Sequence, residues 1–88
     1  MKNTAVGNII RELAVSVASV DYTDESGNGF FIRSTGAGNI CYVPINNQDS
    51  EAVTKTVDSQ VYFADPVLCK KIKKDGTTAT GIYVGYGI

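Results

Sequence analysis

Clusters of turn-forming residues cut this sequence into pieces that suit a small architecture built from short strands. They fall at 21–29 (D-Y-T-D-E-S-G-N-G), 34–39 (S-T-G-A-G-N), 46–51 (N-N-Q-D-S-E) and around Asp75-Gly76. Glycine reaches left-handed backbone without strain, and short polar side chains bond to their own backbone, so each cluster favours reversal of the chain. Between the clusters, apolar residues recur with period two or in short unbroken runs, as strands require. Nine glycines against two prolines suit short strands joined by tight turns.

Taken in order, residues 1–8 carry no strong period and are expected to form a loosely held arm. From Ile9 to Val20, Leu13, Val15 and Val17 alternate with Ala14 and Ser16, which predicts a strand with one wet face. Val6, Ile9, Ile10 and Leu13 also fit a 3.6 period, so a helix over 4–13 competes for the same stretch. Residues 21–29 read as a loop, 30–33 as a short strand, and 34–39 as a hairpin turn. Residues 40–45 form a strand apolar on both faces, with Pro44 marking an edge or terminus because it has no N–H to donate. A solvated loop at 46–51 precedes two more strands, 52–57 and 59–64. The inward face of the first is left open by its pattern, and Asp65-Pro66 breaks the second.

The final stretch, 66–88, reads as a closing hairpin. Its first arm places Val67, Cys69 and Lys71 on one face and Leu68, Lys70 and Ile72 on the other. Its loop spans about 74–78 around Asp75-Gly76, and its second arm alternates Ile82, Val84 and Tyr86 with Tyr83, Gly85 and Gly87. The fold class predicted is all-β: a small antiparallel β-sandwich or barrel of about six to seven short strands, one domain over 9–88 with an arm over 1–8.

The chemistry open to such a chain is narrow. It has no histidine, which removes the usual Ser/His and Cys/His pairs and the histidine zinc sites. No pair of carboxylates or lysines falls on a recognisable shared strand face, so no enzyme activity and no cofactor are expected. Cys41 and Cys69 both sit within apolar runs and are expected as reduced, buried thiols. Eight basic and nine acidic residues give a net charge of −1, which points to no polyanion or membrane surface as the main partner. Apolar runs fall short of a membrane span, and the N-terminus lacks the pattern of a secretory leader, so neither fate is expected.

Three groups of residues raise functional alternatives. Asp21, Asp24, Ser26 and Asn28 offer oxygen ligands, but their spacing is not that of a calcium loop, and a solvated turn is the favoured reading. The lysines Lys70, Lys71, Lys73 and Lys74 could touch phosphates, with Tyr83 and Tyr86 as stacking faces; alternatively they protect a sheet edge from aberrant pairing, the favoured reading. The five tyrosines, Tyr22, Tyr42, Tyr62, Tyr83 and Tyr86, suit either ordinary barrel packing or an interface, where an amphipathic ring is favoured. The interface candidates are Tyr62, Tyr83, Tyr86, Lys70 and Lys71. No metal site is assigned.

The order F-F-I-R-S-T-G-A-G-N-I-C-Y-V-P, then D-P-V-L-C-K-K-I, then D-G-T-T-A-T-G-I-Y-V-G-Y-G resembles small structural proteins of tailed bacteriophages, prophages and gene transfer agents, head-spike base and head decoration proteins among them. The likeness rests on Phe31 to Ile40, Pro66 to Ile72 and Gly76 to Thr80, within a stretch from Gly29 to Tyr86. It implies a non-enzymatic virion subunit assembled in the bacterial cytoplasm, present in many copies. Its partners would be itself and other virion proteins, such as capsid, portal or tail components. A monomeric glycan- or nucleic-acid-binding β module is the alternative function.

Overall fold

The computed structural model describes residues 9–58 and 67–87, and all regular structure among them is β-strand. Seven strands occur in chain order: β1 Ile9–Val15, β2 Tyr22–Thr23, β3 Phe31–Ser34, β4 Gly38–Pro44, β5 Val53–Val57, β6 Cys69–Lys73 and β7 Ile82–Gly87. They form a three-stranded sheet of order β1-β7-β3 and a four-stranded sheet of order β2-β6-β4-β5, with every pairing antiparallel. The protein is thus an all-β, two-sheet antiparallel domain, as its alternation predicts. The expected arm at 1–8 and strand at 59–64, with Tyr62, lie outside the described residues.

The first strand pairs with the last. Leu13 lies opposite Val84 and Val15 opposite Ile82, so the apolar residues of β1 meet those of β7 on one face. Backbone pairing with β7 from Ile9 onward settles the competition with a helix in favour of a strand over these residues. On the other side of β7, β3 brings Ile32 opposite Val84 and Ser34 opposite Ile82. In the second sheet, Tyr22, Ile72 and Tyr42 form a row across β2, β6 and β4.

Facing side chains of the two sheets build one core around Phe30, Ile32, Ile40, Ile72 and Val84, all essentially sealed from solvent. Removing each such side chain from water contributes roughly 1.5–3 kcal/mol. The sheets also join through backbone at one corner. Just before β3, Phe30 exchanges two hydrogen bonds with Cys69 at the start of β6, of 2.9 and 2.8 Å. The segment from β2 to β3 therefore runs along β6 first and β7 second, with a loop between.

Four local expectations are corrected. The stretch from β6 to β7 is no hairpin: β6 belongs to the four-stranded sheet and β7 to the three-stranded one, so the intervening residues carry the chain from one sheet to the other. The turn at 34–39 likewise joins strands of different sheets rather than closing a hairpin. Alternation in β6 is broken, because Val43 and Pro44 of β4 face Lys71 and Cys69, leaving Lys70 as an extra residue. Such a bulge resets the period, so Cys69 and Ile72 both point into the core. Finally, β6 lies between β2 and β4, so its lysines do not guard a sheet edge.

Smaller points agree or refine. Pro44 does end β4, and Ile40, Cys41, Tyr42 and Val43 are all buried, as a strand apolar on both faces requires. In β5, buried Val57 shares its face with Lys55 and Val53, which settles the direction its pattern left open. Within the 21–29 loop the two residues of β2 are paired, a strand too short to show a period.

Candidate protein-contact surface

Alternation along β7 places Tyr83 and Tyr86 on opposite faces of the three-stranded sheet, since they stand three residues apart. Ile82, Val84 and Tyr86 face the core, and Tyr83 faces outward. On that outer face one row contains Arg33, Tyr83 and Ala14, and the next contains Phe31, Gly85 and Glu12. The Arg33 guanidinium lies 4.1 Å from the centre of the Tyr83 ring. It also forms a two-pronged pair with Glu12, Nε to Oε2 at 2.8 Å and an Nη to Oε1 at 2.9 Å. Gly85 stands between the two strands at Glu12's level and adds no side chain to obstruct the reach. With both ends partly solvated, the ion pair contributes about 1 kcal/mol at most, so its main effect is to hold the guanidinium flat on the ring.

Tyr86 lies on the other side, only 6% exposed. Its hydroxyl is 2.7 Å from that of Tyr22 and accepts the Glu25 N–H at 3.1 Å. Phe30 stands edge-on to both rings, at 5.3 Å from Tyr22 and 6.0 Å from Tyr86. Burial, and then the Tyr86 hydroxyl, push the Tyr22 phenol far above its ordinary range. Arg11 closes this cluster, its guanidinium 5.4 Å from the Tyr86 ring centre and 3.3 Å from Glu25. Tyr86 is thus a core residue that anchors the 24–29 loop, and its expected use as a stacking or contact face is corrected.

That loop is held by one carboxylate. Asp24 Oδ1 accepts the backbone N–H and the hydroxyl of Ser26, both at 2.9 Å, while Oδ2 accepts the Gly29 N–H at 2.7 Å. Burial works to raise the Asp24 carboxyl, but these bonds and the nearby Tyr86 hydroxyl outweigh it and hold the group below the usual range. Gly29 is required: its φ is +92°, and a Cβ there would meet Ile45 and Leu68 at 2.6 Å. Asp21 turns elsewhere and accepts the Lys74 N–H at 2.8 Å. Among the described residues, no group of three or more His, Cys, Asp or Glu is placed to hold a metal ion.

Three lysines of the basic run, Lys70, Lys71 and Lys74, are similarly occupied. Lys71 Nζ lies 2.9 Å from Asp49 Oδ2, and Lys70 Nζ lies 3.7 Å from Oδ1 of the same carboxylate. The hydrogen bond between Lys71 and Asp49 lowers the Asp49 carboxyl and raises the Lys71 ammonium. Lys74 pairs with Asp75 at 3.3 Å. An open groove between residues 15–18 and 77–82 is edged by Thr77 and Thr78, whose hydroxyls serve the fold. Thr77 Oγ1 donates to Lys73 O and accepts from Cys41 N, and Thr78 Oγ1 accepts from Asn39 N. Both cysteines are free and buried, and burial pushes the Cys69 thiol up to about 12.

Of the sequence candidates among the described residues, Tyr83 alone is placed on an outward face built from interface-type side chains; Lys70 and Lys71 gather at Asp49, and Tyr86 is interior. Phe31, Arg33 and Glu12 complete this outer face and are not among the sequence candidates. Their signal was present in the parity of β3 and β7, since Arg33 and Tyr83 fall on the faces opposite Ile32 and Val84.

Fold and site together define a two-sheet β domain that carries an arginine–tyrosine pair on the outer face of its three-stranded sheet. Comparison with protein-family models, curated proteins and solved structures finds no match to this protein. No described helix is long and apolar enough to cross a membrane.

Proposed function

We propose that this protein is a non-enzymatic structural subunit of a bacteriophage virion. It would serve as a head decoration, a vertex or spike base, or a neck or tail accessory, acting by self-association and by docking other virion proteins. The resemblance carried by residues 29–86 supplies the virion setting. The observation that carries the mode of action is the Arg33–Tyr83 stack on the outer face of β3 and β7. Arginine and tyrosine dominate protein contact energies, and a guanidinium already fixed by Glu12 loses little freedom on docking. Phe31, half-buried on the same face, adds apolar area. The alternative, a glycan- or nucleic-acid-binding module, draws no support from Tyr86, which is interior, or from Lys70 and Lys71, which share Asp49.

The test is sizing by light scattering, for wild type and for Tyr83→Ala and Arg33→Ala. The expected result is a defined oligomer that shifts toward monomer in both variants while their circular dichroism is unchanged. A strictly monomeric wild-type protein that also binds no capsid, portal or tail protein would end the proposal.

A further inference from the structure

Asn28 immediately precedes Gly29, and this dipeptide is the one in which the backbone nitrogen most readily attacks the asparagine side chain, because glycine puts no side chain in its path. The Gly29 nitrogen bonds to the Asn28 Cγ, the bond from Cγ to the amide nitrogen Nδ2 breaks, and ammonia leaves with the proton from the Gly29 nitrogen. Water then opens the resulting five-membered imide at either carbonyl, giving aspartate or isoaspartate. Asn28 is exposed, so water reaches it freely.

The fold engages the nucleophile elsewhere. Gly29 N–H points at Asp24 Oδ2 at 2.7 Å, and Gly29 itself is buried with Ile45 and Leu68 packed over its Cα. Asn28 N–H is tied to Ser26 Oγ at 3.0 Å, and that hydroxyl donates in turn to Asp24 Oδ1. To react, the Gly29 nitrogen must give up its proton and turn toward the Asn28 side chain. A carboxylate at hydrogen-bond distance opposes the negative charge that deprotonation creates, and packing opposes the rotation. We infer that Asn28–Gly29 is a latent imide-forming site restrained by Asp24, so that Asn28 converts to aspartate or isoaspartate when the 24–29 loop opens.

Conversion would place a new carboxylate within the loop that links β2 to β3 at the corner joining the sheets, and in the isoaspartate product an extra backbone methylene as well. The chemistry is therefore coupled to the integrity of that corner, and it is irreversible once ammonia has left.

The experiment follows the one-dalton mass gain, and isoaspartate by peptide mapping, during warm, mildly alkaline incubation. It compares the full-length protein, Asp24→Ala, Asp24→Asn and a synthetic peptide spanning residues 21–31. Product should form at least about ten-fold more slowly in the full-length protein than in the peptide, as expected when reaction requires local opening. Asp24→Ala, if it remains folded, should approach the peptide rate. Asp24→Asn, which keeps an acceptor but loses the charge, should fall between. An Asn28→Gln control should remove the mass gain from this site. Equal rates in protein and peptide, or a folded Asp24 variant of either kind reacting at the wild-type rate, would overturn the inference.

Discussion

Replacing Tyr86 with phenylalanine isolates what one hydroxyl does for the fold. The ring keeps its place against Phe30 and under Arg11, so the change removes only the oxygen that meets Tyr22 at 2.7 Å and accepts Glu25 N–H at 3.1 Å. Each bond is worth about 0.5–1.5 kcal/mol net, and two partners are left unmatched, so the expected loss is about 1–3 kcal/mol. For a domain of this size that corresponds to a fall in Tm of roughly 5–20 °C. Urea unfolding followed by circular dichroism measures it, with Tyr22→Phe and the double variant completing a cycle. Because the hydroxyls serve one another, the double variant should be destabilised by less than the sum of the singles, by about 0.5 kcal/mol or more. A Tyr86→Phe change costing under about 0.3 kcal/mol, or strict additivity, would refute the view that this pair anchors the 24–29 loop.

Two further outcomes follow from the same region and from the core. Asp24 gives up its proton at lower pH in the folded protein than in the unfolded one. The stability it confers is therefore complete above the ordinary carboxyl value of 3.8 and is lost as pH falls through its lower folded value. Asp24→Asn should show a shallower loss of stability below about pH 4 than wild type in acid titrations, and parallel curves would count against the assignment. The Ser34 hydroxyl is buried without a partner among the described residues, so Ser34→Ala should be neutral or stabilising by up to about 1 kcal/mol. A clear loss on urea unfolding would mean the hydroxyl is satisfied.

Strands β1 and β7 were legible because each keeps its parity over four or more residues, and β4 because it is an unbroken apolar run. Sheet membership was not legible. A turn that folds a hairpin and one that crosses from sheet to sheet use the same Asp, Gly and Asn, so Asp75-Gly76 and the 34–39 cluster could not distinguish the two. The bulge at Lys70 was hidden because an extra residue leaves no compositional trace when both neighbours are lysine or apolar. Tyr86 was a different kind of miss: its alternation with Ile82 and Val84 already placed it inside, and its residue type drew it outward. The loop cap by Asp24 was visible in outline, since Asp followed two residues later by Ser is a turn signal.

The pairing of β1 with β7 sets a timetable for the protein. Ile9 lies against Gly87, so the earliest described strand made on the ribosome has no neighbour in its own sheet until the last is complete. At roughly 5–20 residues per second, β1 waits for seconds with its apolar face unpaired, while the four-stranded sheet already has its four members. Assembly of this domain is therefore a closing event rather than a progressive one. The outer face shared by β3 and β7 is likewise complete only once β7 has been made.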